Sequence, residues 1–186
     1  MQVFNGLIVD GTAVGSSGVD KLGVTITDCV ATSTQVDVVT STIGADEWAD
    51  GELILIYFAA DYKNQSGAAA TLTIKLHYGT DSYTIVSTSL ANTGVVTRYG
   101  YQLHLWRIGN DIRVAGDDYV TGMFVNAHPG SVNAITGSDS YASGRKGAIL
   151  TAPGFGTSKT LKITAQWDVA DVNTFYSVRG AKILKM

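Results

Sequence analysis

The amino-acid sequence predicts an all-β sandwich of about eight antiparallel strands, and three observations carry that expectation. Short segments alternate apolar and polar residues with the period of a pleated strand. There are 21 glycines among 186 residues, and they separate those segments as turns. No stretch long enough for a stable helix carries a sustained apolar stripe at the 3.6-residue period.

The clearest strand is Thr71-Leu72-Thr73-Ile74-Lys75-Leu76-His77-Tyr78, which places Leu72, Ile74, Leu76 and Tyr78 on one face. Thr160–Trp167 repeats the pattern, with Leu161, Ile163, Ala165 and Trp167 inward and Lys162, Thr164 and Gln166 outward. Leu53–Phe58 is apolar on both faces, so it predicts a strand covered on both sides, by the opposite sheet and by a loop or another subunit. Further strands are expected at Gln35–Thr40, Ser82–Ser87, Tyr101–Ile108, Ile112–Ala115, Tyr119–Ala127 and Tyr176–Leu184. Ile108-Gly109-Asn110-Asp111-Ile112 has the composition of a tight hairpin, because glycine and asparagine tolerate positive φ. Tyr78-Gly79-Thr80-Asp81-Ser82 is a similar reversal, while Thr42–Gly51 holds at most one turn of helix.

Two regions fit a sandwich less well. Residues 1–23 carry glycines around a small apolar patch and predict an extended N-terminal arm, or a strand added to the edge of its own sheet. Residues 128–158 form a long loop insertion within a domain of residues 24–186, with a short strand expected at Gly147–Thr151.

Composition narrows the function classes. A hydrophobic fraction of 45% suits one domain with a real core. A charged fraction of 16% and a net charge of −3 offer no basic surface, which argues against nucleic-acid and anionic-lipid partners. The apolar run Leu53–Ala60 is too short for a membrane helix, and the N-terminus lacks the pattern of a signal peptide, so synthesis in the cytoplasm is expected. The single cysteine, Cys29, is expected as a packed, inert thiol.

The residues that carry chemistry elsewhere do not converge here on a recognisable motif. His77, His104 and His128 lie in separate segments without zinc-ligand spacing, so no metal or other cofactor is expected. The acidic groups Asp46, Glu47 and Asp50, and Asp117 and Asp118, match no calcium loop and read first as turn residues. Gly137-Ser138-Asp139-Ser140-Tyr141 is not a nucleophile elbow, and neither Gly15-Ser16-Ser17-Gly18 nor Ala152–Gly156 has the lysine of a phosphate loop. No catalytic residue is assigned, and the chain is read as a non-enzyme. The aromatic side chains Trp48, Tyr62, Tyr99, Tyr101, Trp106, Tyr119 and Tyr141 are the remaining candidates for binding. Trp106 shares a strand face with Gln102 and His104, opposite Leu103 and Leu105.

The runs Gly44–Ile56, Ser66–Gly79 and Arg98–Arg107, followed by Leu161–Asp168 and Val178–Leu184, resemble a jelly-roll module of tailed-bacteriophage structural proteins. The likeness covers roughly residues 34–115 and 159–185 and departs in the arm and in the 116–158 segment. It implies a virion protein: a capsid decoration or cement protein, assembled as a homotrimer on the outer capsid surface and bound to the major capsid protein. Under that implication Val3, Phe4, Leu7 and Ile8 are the capsid-docking candidates of the arm. The alternative, in a different class, is a tail or head-fibre module that binds a host glycan or receptor, with Trp106 and Trp48 as the stacking residues. A small glycosidase on the same sandwich is a third reading without a cleft to support it.

Overall fold

A computed structural model describes residues 7–9, 12–14, 20–117, 146–150 and 153–186. Every regular element in them is a strand: β1 (Leu7–Val9), β2 (Thr12–Val14), β3 (Asp20–Leu22), β4 (Thr25–Ile26), β5 (Cys29–Val30), β6 (Val36–Ile43) and β7 (Leu53–Lys63) come first. They are followed by β8 (Ala70–Tyr78), β9 (Asp81–Leu90), β10 (Thr97–Ile108), β11 (Asp111–Asp117), β12 (Lys146–Leu150), β13 (Lys159–Trp167) and β14 (Phe175–Lys185). The strand expected at Tyr119–Ala127 lies outside the described residues, as do Val3, Phe4 and His128. Residues 42–51 contain no helix: β6 continues to Ile43, and a turn follows.

Two antiparallel sheets face each other. One runs β12-β11-β10-β7-β14-β3, with β5 also pairing β14, and the other runs β4-β6-β13-β8-β9. Taking the eight principal strands β3, β6, β7, β8, β9, β10, β13 and β14 in chain order, the sheets read first-eighth-third-sixth and second-seventh-fourth-fifth. That permutation is what results when one long antiparallel hairpin, first strand against eighth and fourth against fifth, rolls up on itself. It is a jelly roll, with β11 and β12 extending one edge. Separately, β1 and β2 pair with each other. Within the stretch expected as an arm, β3 is an edge strand of the domain's own sheet, paired with β14.

The turns obey the expected chemistry. Pairing of Ile108 with Asp111 leaves Gly109 and Asn110 as a two-residue loop, with Gly109 at φ 60°. A glycine at positive φ in the first loop position matches the right-handed twist of the two strands it joins. Gly79, at φ 62°, does the same between β8 and β9.

Alternation delivers the core. From one sheet Leu72, Ile74, Leu76, Tyr78, Leu161, Ile163, Ala165 and Trp167 point inward, and from the other Ile54, Ile56, Phe58, Leu103, Leu105, Ile112 and Ile183 meet them. Cys29 is fully buried, and burial pushes its thiol up to about 11, so it stays protonated and inert near neutral pH. Three ladders each carry one residue more than the partner strand, namely Val38 in β6, Ile85 in β9 and Arg179 in β14.

One end of the sandwich is closed by side chains from four separate segments. Trp48 is 1% exposed, and its ring meets Tyr78 and Phe155 in edge contacts with centroids 5.5 and 5.7 Å apart. The Arg107 guanidinium lies 3.9 Å above the Phe155 ring and donates Nη1–H to the Trp48 carbonyl and Nε–H to that of Gly109. Trp48 Nε1 donates to the Glu52 carbonyl at 3.1 Å. Trp48→Ala is therefore expected to lower the unfolding free energy by about 4 kcal/mol, as for a large aromatic removed from a core. Urea denaturation checks this, and a loss below about 1 kcal/mol would mean that the 44–52 turn is not coupled to the core.

Candidate functional site

The residues singled out in the sequence separate into structural ones and ones that remain available. The expected sugar-stacking role of Trp48 does not survive its burial: the ring closes the sandwich end in edge contacts with Tyr78 and Phe155 and leaves no face for a sugar. Tyr62 and Tyr101 are likewise buried. The acidic cluster is spent on backbone geometry. Glu47 accepts the Gly44 N–H at 2.6 Å, Asp50 accepts that of Gly109 at 2.6 Å, and Asp46 sits at φ 56°. Among the described residues no group of three or more His, Cys, Asp or Glu side chains is placed to hold a metal ion.

The outward face of the β7 sheet is where candidate residues gather. Strand register puts Leu53 beside Trp106, Leu55 between His104 and Leu184, and Tyr57 between Gln102 and Lys182. Trp106, His104 and Gln102 are half-buried on the face opposite Leu103 and Leu105, as their alternation requires. The His104 and Trp106 rings lie 5.4 Å apart, and Gln102 Nε2 is within 2.7 Å of His104 Nε2 and 3.2 Å of the Tyr57 hydroxyl. Leu55 is buried although it points outward, Tyr57 is exposed, and Ile149 on β12 is 57% exposed. Leu7 and Ile8, two of the arm residues, lie in β1 against β2.

Farther along the same strand the chemistry changes. Asp61 is almost fully buried and accepts Arg98 Nε–H at 2.7 Å and Nη2–H at 3.1 Å, with Arg179 Nε–H at 2.8 Å on its second oxygen. The hydrogen bonds from Arg98 are the main reason its carboxyl is held below the usual carboxylate range. Those from Arg179 add to that, and desolvation opposes both. Sequence reading did not single out this triad, because its members lie 37 and 118 residues apart.

The outward face of the other sheet is polar: Thr71, Thr73, Lys75 and His77 from β8 lie beside Lys162, Thr164 and Gln166 from β13. His77 Nε2 and Thr164 Oγ1 are 3.1 Å apart, which explains how an outward threonine comes to be buried. Burial, followed by the positive charge of Lys162, lowers the His77 pKa; Asp37 opposes this, and Lys75 adds a smaller lowering.

No family model matches the chain, and no curated protein matches it. Among solved structures it is similar to the structure of infectious bursal disease virus Gt strain, at 9% identity and a TM-score of 0.36. That alignment covers 94% of this chain and 34% of the other, so the chain spans about a third of its length. Fold and surface together define a jelly-roll β-sandwich with one polar outer face and one that runs from apolar to cationic.

Two pH dependences follow from these sites. Because the His77 pKa is lower in the folded state, its contribution is complete above the unfolded value of about 6.5 and is lost as pH falls through the folded one. Wild-type protein should therefore lose stability as pH falls below about 6.5, and His77→Gln should flatten that slope in urea denaturation. Asp61 acts in the same direction at lower pH. Asp61→Asn is expected to cost about 2 kcal/mol at pH 7, and the difference from wild type should shrink below about pH 4 as the wild-type carboxyl protonates.

Proposed function

We propose that this protein is a non-catalytic structural component of a bacteriophage virion. In this reading it is made in the bacterial cytoplasm, assembles as a homotrimer and decorates the outer capsid surface against the major capsid protein. The observation that carries the assembly part is the outward face of the β7 sheet. Exposed Tyr57 and half-buried Leu53, Trp106 and Leu184 gather there around the buried Leu55, whereas the outer face of the opposite sheet is polar. Apolar and aromatic side chains set among polar ones are stabilised when a second copy covers them, and an aromatic centre with a polar rim is the usual composition of such contacts. The resemblance of the strand runs to phage jelly-roll modules supplies the virion part, and the arm residues Val3, Phe4, Leu7 and Ile8 are the capsid-docking candidates. A trimer that bridges neighbouring capsid subunits acts as a cement, because its several contacts must all break before those subunits separate.

A second reading, a glycan-binding appendage of the tail or head fibre, keeps one specific support. The half-buried Trp106 lies beside His104 and Gln102, an aromatic surface flanked by hydrogen-bonding groups.

Light scattering on purified protein should give three times the monomer mass, and Tyr57→Glu combined with Trp106→Glu should give monomers that remain folded by circular dichroism. A monomeric wild type would sink the assembly reading. Immunogold imaging of phage particles then decides location. Regular label over the head supports decoration, label confined to the tail supports the appendage, and no label on any particle rejects both. In a tryptophan-fluorescence titration, a sugar-induced change that Trp106→Phe abolishes would favour the glycan reading over the cement.

A further inference from the structure

We infer that Arg98 and Arg179, held by the buried carboxylate of Asp61, form a binding site for a small oxyanion, a phosphate or a carboxylate group. The argument begins with charge. A single buried aspartate is neutralised by one guanidinium, yet this one holds two, so the Asp61, Arg98 and Arg179 triad carries one net positive charge, with the Asp28 carboxylate beside it on Ser177 and the Lys63 ammonium on the other side. The Arg98 and Arg179 side chains are 58% and 53% exposed, whereas Asp61 is 4% exposed. The anion is therefore enclosed and both cations are presented to solvent.

Donor geometry points the same way. A guanidinium has five N–H groups. Arg98 directs Nε and Nη2 at Asp61, and Arg179 directs only Nε, so Nη1 of Arg98 and both Nη groups of Arg179 are left for an external acceptor. Among the described residues no other carboxylate lies within ion-pair distance of either arginine. Two forks anchored on one carboxylate have already lost much of their rotamer freedom, which lowers the entropic cost of gripping an oxyanion.

Strand alternation puts Arg179 on the face of Asp61, next to a ladder irregularity. Val178 pairs with Ala60 and Gly180 with Ala59, so Arg179 is the extra residue of a β-bulge. Ser177, opposite Asp61, and Arg179 share the outward face by alternation, and the bulge returns Ala181 and Ile183 to the core side beyond it. Ser177 Oγ donates to Asp28 at 2.6 Å and closes the flank of the site on the β14 side. Lys63, two residues beyond Asp61 on the same face of β7, adds a further positive charge at this end, its Nζ bonded to Gln65. The site is independent of the proposed virion role, since it lies at the opposite end of β7 from Leu53 and Trp106.

The test is a titration of the full chain with inorganic phosphate, and separately with glucuronate, at constant ionic strength maintained with chloride. It is read on the arginine Nε–H signals in nitrogen-15 NMR. Selective shifts of Arg98 and Arg179 that saturate are expected, and they should be lost in Arg179→Gln, in which the two bonds from Arg98 still satisfy Asp61. Shifts with phosphate alone identify a phosphate site, and shifts with glucuronate alone a carboxylate site such as an acidic sugar; either supports the inference. Three results would overturn it: no shift with either anion, shifts that chloride reproduces, or shifts unchanged in Arg179→Gln. So would an Arg179→Gln protein that loses self-association while wild type binds neither anion, since the pair would then be a subunit contact.

Discussion

The packing of β7 against its two neighbours and across to the opposite sheet is the constraint on which the molecule depends. β7 takes β10 on one side and β14 on the other, and Ile54, Ile56 and Phe58 enter the core while Leu55, Tyr57 and Asp61 face out. A slip of one residue would reverse both sets and drive Asp61 into the apolar interior. The three ladder irregularities at Val38, Ile85 and Arg179 absorb extra residues without disturbing that register. Long-range pairing of this kind is also what makes the roll cooperative, because its first and last strands are partners.

The closed end of the sandwich shows how few residues complete such a fold. Trp48, Tyr78, Phe155 and Arg107 come from a turn, two strands and the segment before β13, and they meet in one aromatic cluster capped by a cation. The arginine replaces the solvent that its neighbouring carbonyls would otherwise need, so the cluster satisfies backbone acceptors as well as burying rings.

Along the outward face of the β7 sheet, character changes from apolar to charged. Leu53 and Trp106 mark one end and Asp61 with its two arginines the other, a separation of roughly 25 Å at the rise of an extended strand. The two ends favour different partners for physical reasons: removal of water drives association at the first, and paired hydrogen bonds to an anion at the second. The proposed self-assembly and the proposed anion capture thus use separate parts of one face.

Much of the fold was legible in the sequence because strand alternation and turn chemistry are local. The inward sets of β8 and β13, the two-residue loop at Gly109-Asn110, the buried Cys29 and the two-sided apolar character of β7 all follow from neighbouring residues. The Gln102, His104 and Trp106 face was readable for the same reason. Trp48 was misjudged because a tryptophan on a polar turn gives no local sign that Tyr78 and Phe155 will enclose it. The Asp61 triad was invisible for a deeper reason: it exists only because β7 pairs Asp61 with Arg98 of β10 on one side and with Ser177, two residues before Arg179, of β14 on the other. The sequence by itself thus determined which residues can lie in a strand and which face they prefer. Tertiary pairing alone decided which distant residues became neighbours, because register is a property of two strands and is not encoded in either one separately.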